Sequence, residues 1–141
     1  MSRPKISDTI KKQVRDRAHG CCEYCKSQQK FSPSSFEIEH IVPISRNGSN
    51  TLENLALACA QCNSHKSNKV ETIDPVSGQM MQLFHPRQMD WADHFTWSDD
   101  MLEILAITAI GRATVALLQT NREAVINLRQ ILQQIGLHPP N

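Results

Sequence analysis

Residues 36–69, FEIEHIVPISRNGSNTLENLALACAQCNSHKSNK, decide how this chain is read. Glu39 and His40 close a short run in which apolar and polar residues alternate. Asn54 follows His40 by fourteen residues, and Asn63 follows Asn54 by nine. Cys59 and Cys62 form a CxxC pair just before Asn63, and a second pair, Cys22 and Cys25, lies upstream.

The alternation in Phe36-Glu-Ile-Glu-His-Ile-Val42 predicts a strand, broken by Pro43. Residues 45–53 are turn-rich, with Asn47-Gly48 the strongest signal. Leu55 to Ala58 reads as a second short strand. A polar helix is expected from Asn63 to about Lys69. The order is therefore strand, loop, strand, helix.

Upstream, Ser7 to His19 reads as a helix with Ser7 as its N-cap. Ile6, Ile10, Val14 and Ala18 form its narrow apolar face, and Gly20 stops it. Downstream, Asp74-Pro-Val-Ser-Gly78 is a turn and Met80 to Phe84 a short strand. Residues from His94 to Ser98 and from Met101 to Ile107 read as a hairpin. Two helical segments follow, Gly111 to Thr120 and Asn121 to Ile135. The second carries Val125, Leu128, Ile131, Leu132 and Ile135 on one face. Phe84, His85, Trp91, Phe95 and Trp97 are expected to pack this region on the core, with stacking on bases the rival use.

At 141 residues and 40 % apolar content, the chain suits a single small domain with an extension. Aromatic residues make up only 5 %, which invites a staple. No run of apolar residues is long enough to span a membrane, and the start, MSRPKISDTIKK, lacks the apolar centre of a signal peptide. A cytoplasmic protein is expected. The net charge of +1 is unevenly spread: residues 1–30 hold eight Lys/Arg against three Asp/Glu, whereas residues 71–141 hold four against eight. The basic N-terminal part can meet phosphates, though a solvated helix face would look the same.

Five cysteines in a reducing compartment, four of them in two CxxC pairs, argue for metal rather than disulfides. CxxC is the spacing of a zinc knuckle, so Cys22, Cys25, Cys59 and Cys62 are read as a closed, structural Zn²⁺ site. Cys21 comes one residue too early to share the turn. A thioredoxin-like redox CxxC wants a βαβ setting and no second pair, the reverse of this chain.

The residues between the pairs carry chemistry. Neighbours on a strand point to opposite faces, so Glu39 and His40 can take separate tasks. Glu39 offers a hard oxygen suited to Mg²⁺ or Mn²⁺. An imidazole titrates near neutrality, so His40 can accept a proton. Asn63 can supply a second oxygen ligand. Asn54, both donor and acceptor, can fix the loop between the strands. Taken singly, each has an ordinary structural role, the histidine in packing and the asparagines in turns. Their joint spacing inside a zinc frame is what changes the reading.

At these residues the chain resembles the HNH endonuclease family. The resemblance runs from RAHGCCEYC (17–25) through EHIVP (39–43), NGSNTLENL (47–55) and CAQCN (59–63) to Lys69. It implies an α+β fold: a small ββα-metal core braced by a four-cysteine zinc site, with an N-terminal helix. That core and helix would occupy residues 1–70, with a hairpin-plus-helices extension, residues 71–141, packed on them. It implies His40 as general base, Asn54 as the central asparagine, Asn63 in the place of the last histidine, and Glu39 as a ligand of the catalytic Mg²⁺ or Mn²⁺. It further implies hydrolysis of DNA to 5′-phosphate and 3′-hydroxyl ends. Lys66, Lys69 and His65 are then candidate phosphate contacts, although His65 lies about 200° round the helix from Asn63. The segments HPRQMDWADHFTW (85–97) and IGRATVALLQTNR (110–122) look like an extension of some bacterial, notably cyanobacterial, members. A non-catalytic zinc module that binds nucleic acid or protein is the alternative. Glu39, His40 and both asparagines argue against it.

Overall fold

The computed structural model describes residues 5–140. The quoted stretch forms two antiparallel strands and a helix. Strand β1 (Glu37–His40) pairs with β2 (Leu55–Ala58) in the register Glu37↔Ala58, Ile38↔Leu57, Glu39↔Ala56 and His40↔Leu55. All four residues of β2 are buried, so this strand is the centre of the core.

Helix α2 (Ala60–Lys66) starts three residues earlier than the pattern suggests. The reason is the CxxC itself. Cys59 adopts an extended N-cap conformation and its sulfur accepts from the Cys62 amide at 3.4 Å, so the knuckle is the first turn of the helix. The helix ends at Ser67, where φ turns positive.

Helix α1 (Asp8–Arg17) begins as expected. Ser7 Oγ accepts from the Ile10 amide at 3.2 Å. Val14 is fully buried, and Ile6, Ile10 and Ala18 pack beside it.

Residues 71–140 add two hairpins and three helices. Strands β3 (Glu71–Ile73) and β4 (Met80–Gln82) flank the Asp74–Gly78 turn. The Asp74 carboxylate accepts from the amides of Val76 and Ser77 and from Arg112 through two nitrogens, at 2.9 and 2.8 Å. A four-residue helix, α3 (Trp91–His94), leads into β5 (Phe95–Trp97), paired with β6 (Ile104–Ala106). Helix α4 (Ala109–Leu118) packs against β6 and α2. Gly111 permits this: a Cβ there would stand 2.3 Å from the His94 carbonyl oxygen.

Helix α5 (Glu123–Gln134) departs from the expected apolar face. Leu132 is buried, but Ile131 and Ile135 are 58 % and 63 % exposed. Arg129 takes the inward position instead, because it donates to the carbonyls of Cys25, Leu102 and Thr120.

One core joins the two parts of the chain. Tyr24, Leu55 and Leu57 share it with Phe84, Phe95, Ile104 and Leu118. Tyr24 meets Phe84 edge-on at 6.4 Å, and Phe84 meets Phe95 at 5.2 Å. The Trp91 indole N–H donates to the Tyr24 carbonyl. The scarce aromatic residues are thus committed to packing. No helix among the described residues is long and apolar enough to cross a membrane.

Candidate active site and metal centre

The two CxxC turns converge. One ligand atom from each of Cys22, Cys25, Cys59 and Cys62 lies within 4.8 Å of the others, and all four residues are buried. The Cys25 and Cys59 sulfurs are 3.7 Å apart. Tetrahedral Zn–S bonds of about 2.3 Å would set sulfurs about 3.8 Å apart, so the cluster fits zinc closely. None of the cysteines is in a disulfide. Cys21 stands outside the cluster, its thiol directed at the His19 carbonyl.

The C-terminal region reaches this cluster. Arg122 directs Nη1 at Cys62 Sγ (3.8 Å) and Nη2 at Cys59 Sγ (3.6 Å), while Nη1 also donates to the last carbonyls of α4. Four thiolates around a divalent ion leave two net negative charges, and Arg122 is the cation placed against them. Of the two facing thiols, hydrogen bonding led by Cys22 brings Cys59 down to about 7, whereas Cys62 is raised, the hydrogen bond with Cys22 being outweighed by those with Cys25 and Cys59 and by burial.

Beside the zinc frame, Glu39, His40 and Asn63 line one cleft of about 560 Å³, together with Ser45, Ser67 and Asn68. β1 supplies the first two residues and α2 the third. Asn54 stands behind them, buried. Its Oδ1 accepts from the Val42 amide at 2.8 Å, and its Nδ2 donates to the carbonyls of Val42 and Ser49 at 2.9 and 2.8 Å. The Ile41 amide donates to the Asn54 carbonyl. These four bonds hold residues 41–49 against the start of β2. Gly48 fits beneath the same clamp: a Cβ there would lie 1.7 Å from the Val42 oxygen and 2.8 Å from Asn54 Nδ2.

His40 Nε2 lies 2.6 Å from Asn50 Oδ1. With the amide oxygen facing the ring, Nε2 carries the proton and Nδ1 keeps its lone pair. Asn50 was legible in the sequence only as part of the NGSN turn.

Glu39 is only 4 % exposed. One carboxylate oxygen accepts from the Tyr24 hydroxyl, and the other is 3.5 Å from Lys66 Nζ. Burial pushes its acidity toward the neutral form, and Lys66 opposes that shift. Lys66 is itself 1 % exposed and donates to the Ile41 carbonyl at 2.8 Å. This arrangement places Lys66 as the internal counter-ion of Glu39, away from solvent. His65 faces α4, its Nδ1 2.9 Å from the Leu118 carbonyl oxygen. Lys69 is exposed. Sequence reasoning missed Tyr24 and Arg122, since neither an aromatic inside a CxxC nor an arginine sixty residues past one signals its contact.

As a donor set for a hard divalent cation, the cleft offers the oxygens of Glu39 and Asn63. Only Glu39 is anionic, and Lys66 already balances it. A cation held there would bind together with a phosphate, whose charge would complete the site.

Residues 22–69 match the family model described as HNH endonuclease, whose members are in general nucleases acting on nucleic acids. No curated protein matches the chain. With a thiolate cluster fitted for zinc around an antiparallel strand pair and its following helix, residues 22–69 are an HNH endonuclease domain.

Proposed function

We propose that the protein is a metal-dependent endonuclease that hydrolyses DNA phosphodiester bonds at the cleft between β1 and α2. The observation that supports this best is the meeting of His40, Glu39 and Asn63 on that cleft, over a loop clamped by Asn54. Asn50 orients the His40 ring through Nε2, and the free ring nitrogen takes a proton from the attacking water. Water attacks phosphorus in line, the bond to the 3′ oxygen breaks, and the products carry 5′-phosphate and 3′-hydroxyl ends. Glu39 and Asn63 would hold Mg²⁺ or Mn²⁺, which when bound supplies the charge that stabilises the extra negative charge on the phosphate and the leaving oxygen. Glu39 turns to that task by exchanging its contact with Lys66. The thiolate site stays structural throughout, because it has no open position.

One observation favours a second reading, a binding module without catalysis: the Glu39 charge is already met by Lys66 and Tyr24. Nicking of supercoiled plasmid by zinc-loaded protein separates the two. The nuclease needs added Mg²⁺ or Mn²⁺ and stops without it. A binding module retards the plasmid and leaves it uncut under every metal.

A further inference from the structure

The cleft at His40 does not end there. A second groove, of about 720 Å³, adjoins it and shares Ile38, His40 and Ile44 with it. One wall of this groove is α1, which contributes Lys11 and Arg15, and Lys5 lies just upstream. The two ends of the combined trough differ in charge. Toward α2 the wall offers Asn63, Ser67 and Asn68, all neutral. Toward α1 it offers the three cations, against the carboxylates of Asp8 and Glu37.

These cations are unspent. Lys12 is paired with Asp16, Lys66 with Glu39, Arg87 with Glu23 and Arg112 with Asp74. Arg17 donates to the Leu55 carbonyl. Lys5, Lys11 and Arg15 form no ion pair among the described residues. Lys11 and Arg15 stand one helical turn apart, about 6 Å, a step comparable to that between successive phosphates on one strand. A groove that leads to a proton acceptor and is walled on one side by spaced, unpaired cations suits a polyanionic backbone.

We infer that α1 is a phosphate rail: Lys11 and Arg15, assisted by Lys5, hold the nucleic-acid backbone on one side of the scissile bond. The substrate strand thereby crosses His40 with charged contacts on the α1 side and neutral ones on the α2 side. The inference rests on the proposed nuclease only in taking DNA as the polyanion. It transfers to the N-terminal helix the phosphate contact that Lys66, buried against Glu39, does not supply.

The test is fluorescence anisotropy of a short labelled DNA duplex over a salt series, with zinc-loaded protein and no added divalent cation. The variants are Lys11→Gln, Arg15→Gln, the double variant and, as control, Lys12→Gln, with zinc content and circular dichroism checked for each. Each rail variant should lower the slope of log K against log salt by about 1, the double by about 2, with a loss of affinity of roughly fivefold to tenfold per site at 0.1 M salt. Lys12→Gln should leave the slope unchanged. An unchanged slope in the double variant overturns the rail, as does an equal drop in Lys12→Gln or a wild-type protein that does not bind DNA. The nuclease reading fails separately. If wild type binds with the rail-dependent slope and cuts nothing under Mg²⁺ or Mn²⁺, the rail stands and the nuclease falls. If wild type cuts and the double variant keeps its slope, the reverse holds.

Discussion

Lys66 Nζ stands 3.5 Å from Glu39 Oε2 with the two side chains 1 % and 3 % exposed, a buried ion pair between strand and helix. Removing one member of such a pair leaves the other without its counter-ion, at about 3–5 kcal/mol. Lys66→Met should lose that much stability in urea unfolding at constant zinc. Adding Glu39→Gln should restore part of it. A fully additive double variant would mean the pair is not coupled.

The same pair sets a pH dependence. Burial raises the Glu39 pKa in the folded protein, and in Lys66→Met the opposing ammonium is gone. The folded variant then holds a proton at pH values where the unfolded chain, titrating at about 4.3, does not. Its stability is greatest below that value and falls as pH rises through the raised folded pKa. The deficit against wild type should therefore shrink on going from pH 7 toward pH 5 with zinc in excess. A constant deficit across that range would contradict the assignment of the buried charge.

Asn54 and Gly48 belong to one clamp. Asn54→Ala strands the Val42 amide and two carbonyls, which should cost about 1–3 kcal/mol. Gly48→Ala drives a methyl group into the Val42 carbonyl. Both variants should slow cleavage while retaining zinc, and hydrogen exchange should report lost protection at the Val42 amide. Unchanged protection there would show that the loop is held by other means.

The four thiolates tie the first knuckle to α2, and Arg122 ties the end of α4 and the start of α5 to the knuckle that opens α2. Arg122→Gln should weaken zinc retention about 10–100-fold, read by competition with a chromophoric chelator. Full chelation should collapse the circular dichroism of the whole chain, because the core is continuous across residue 70. Loss of helix signal from only the first half would contradict that continuity.

The ββα order was legible because the Phe36–Val42 run alternates, Leu55–Ala58 is a short apolar run, and a CxxC pair introduces the helix. The start of α2 was not, since a cysteine N-cap looks like loop until its sulfur accepts an amide. Along β1 Glu39 is buried and His40 half-buried, yet both reach the same cleft. Alternation could not reveal that Glu39 is the buried one, because a buried carboxylate needs a cation found 27 residues later. In the sequence Lys66 looks like a surface phosphate contact for the same reason: lysines are seldom buried unless paired. β3 escaped notice because three residues before a turn carry little pattern. The expected face of α5 holds at Val125, Leu128 and Leu132 but fails at Ile131 and Ile135, and Arg129 turns inward to three backbone carbonyls that a helical repeat cannot show.

Plasmid cleavage by wild type and His40→Ala, at equal zinc content and across Mg²⁺, Mn²⁺ and no added metal, bears most directly on the central claim. Loss of the general base should slow cutting by about 10²–10⁴-fold with zinc unchanged, while His65→Ala, whose ring faces the Leu118 carbonyl, stays near wild type. A His40→Ala protein that cuts as fast as wild type would contradict the assignment of the base and of the cleft it stands in.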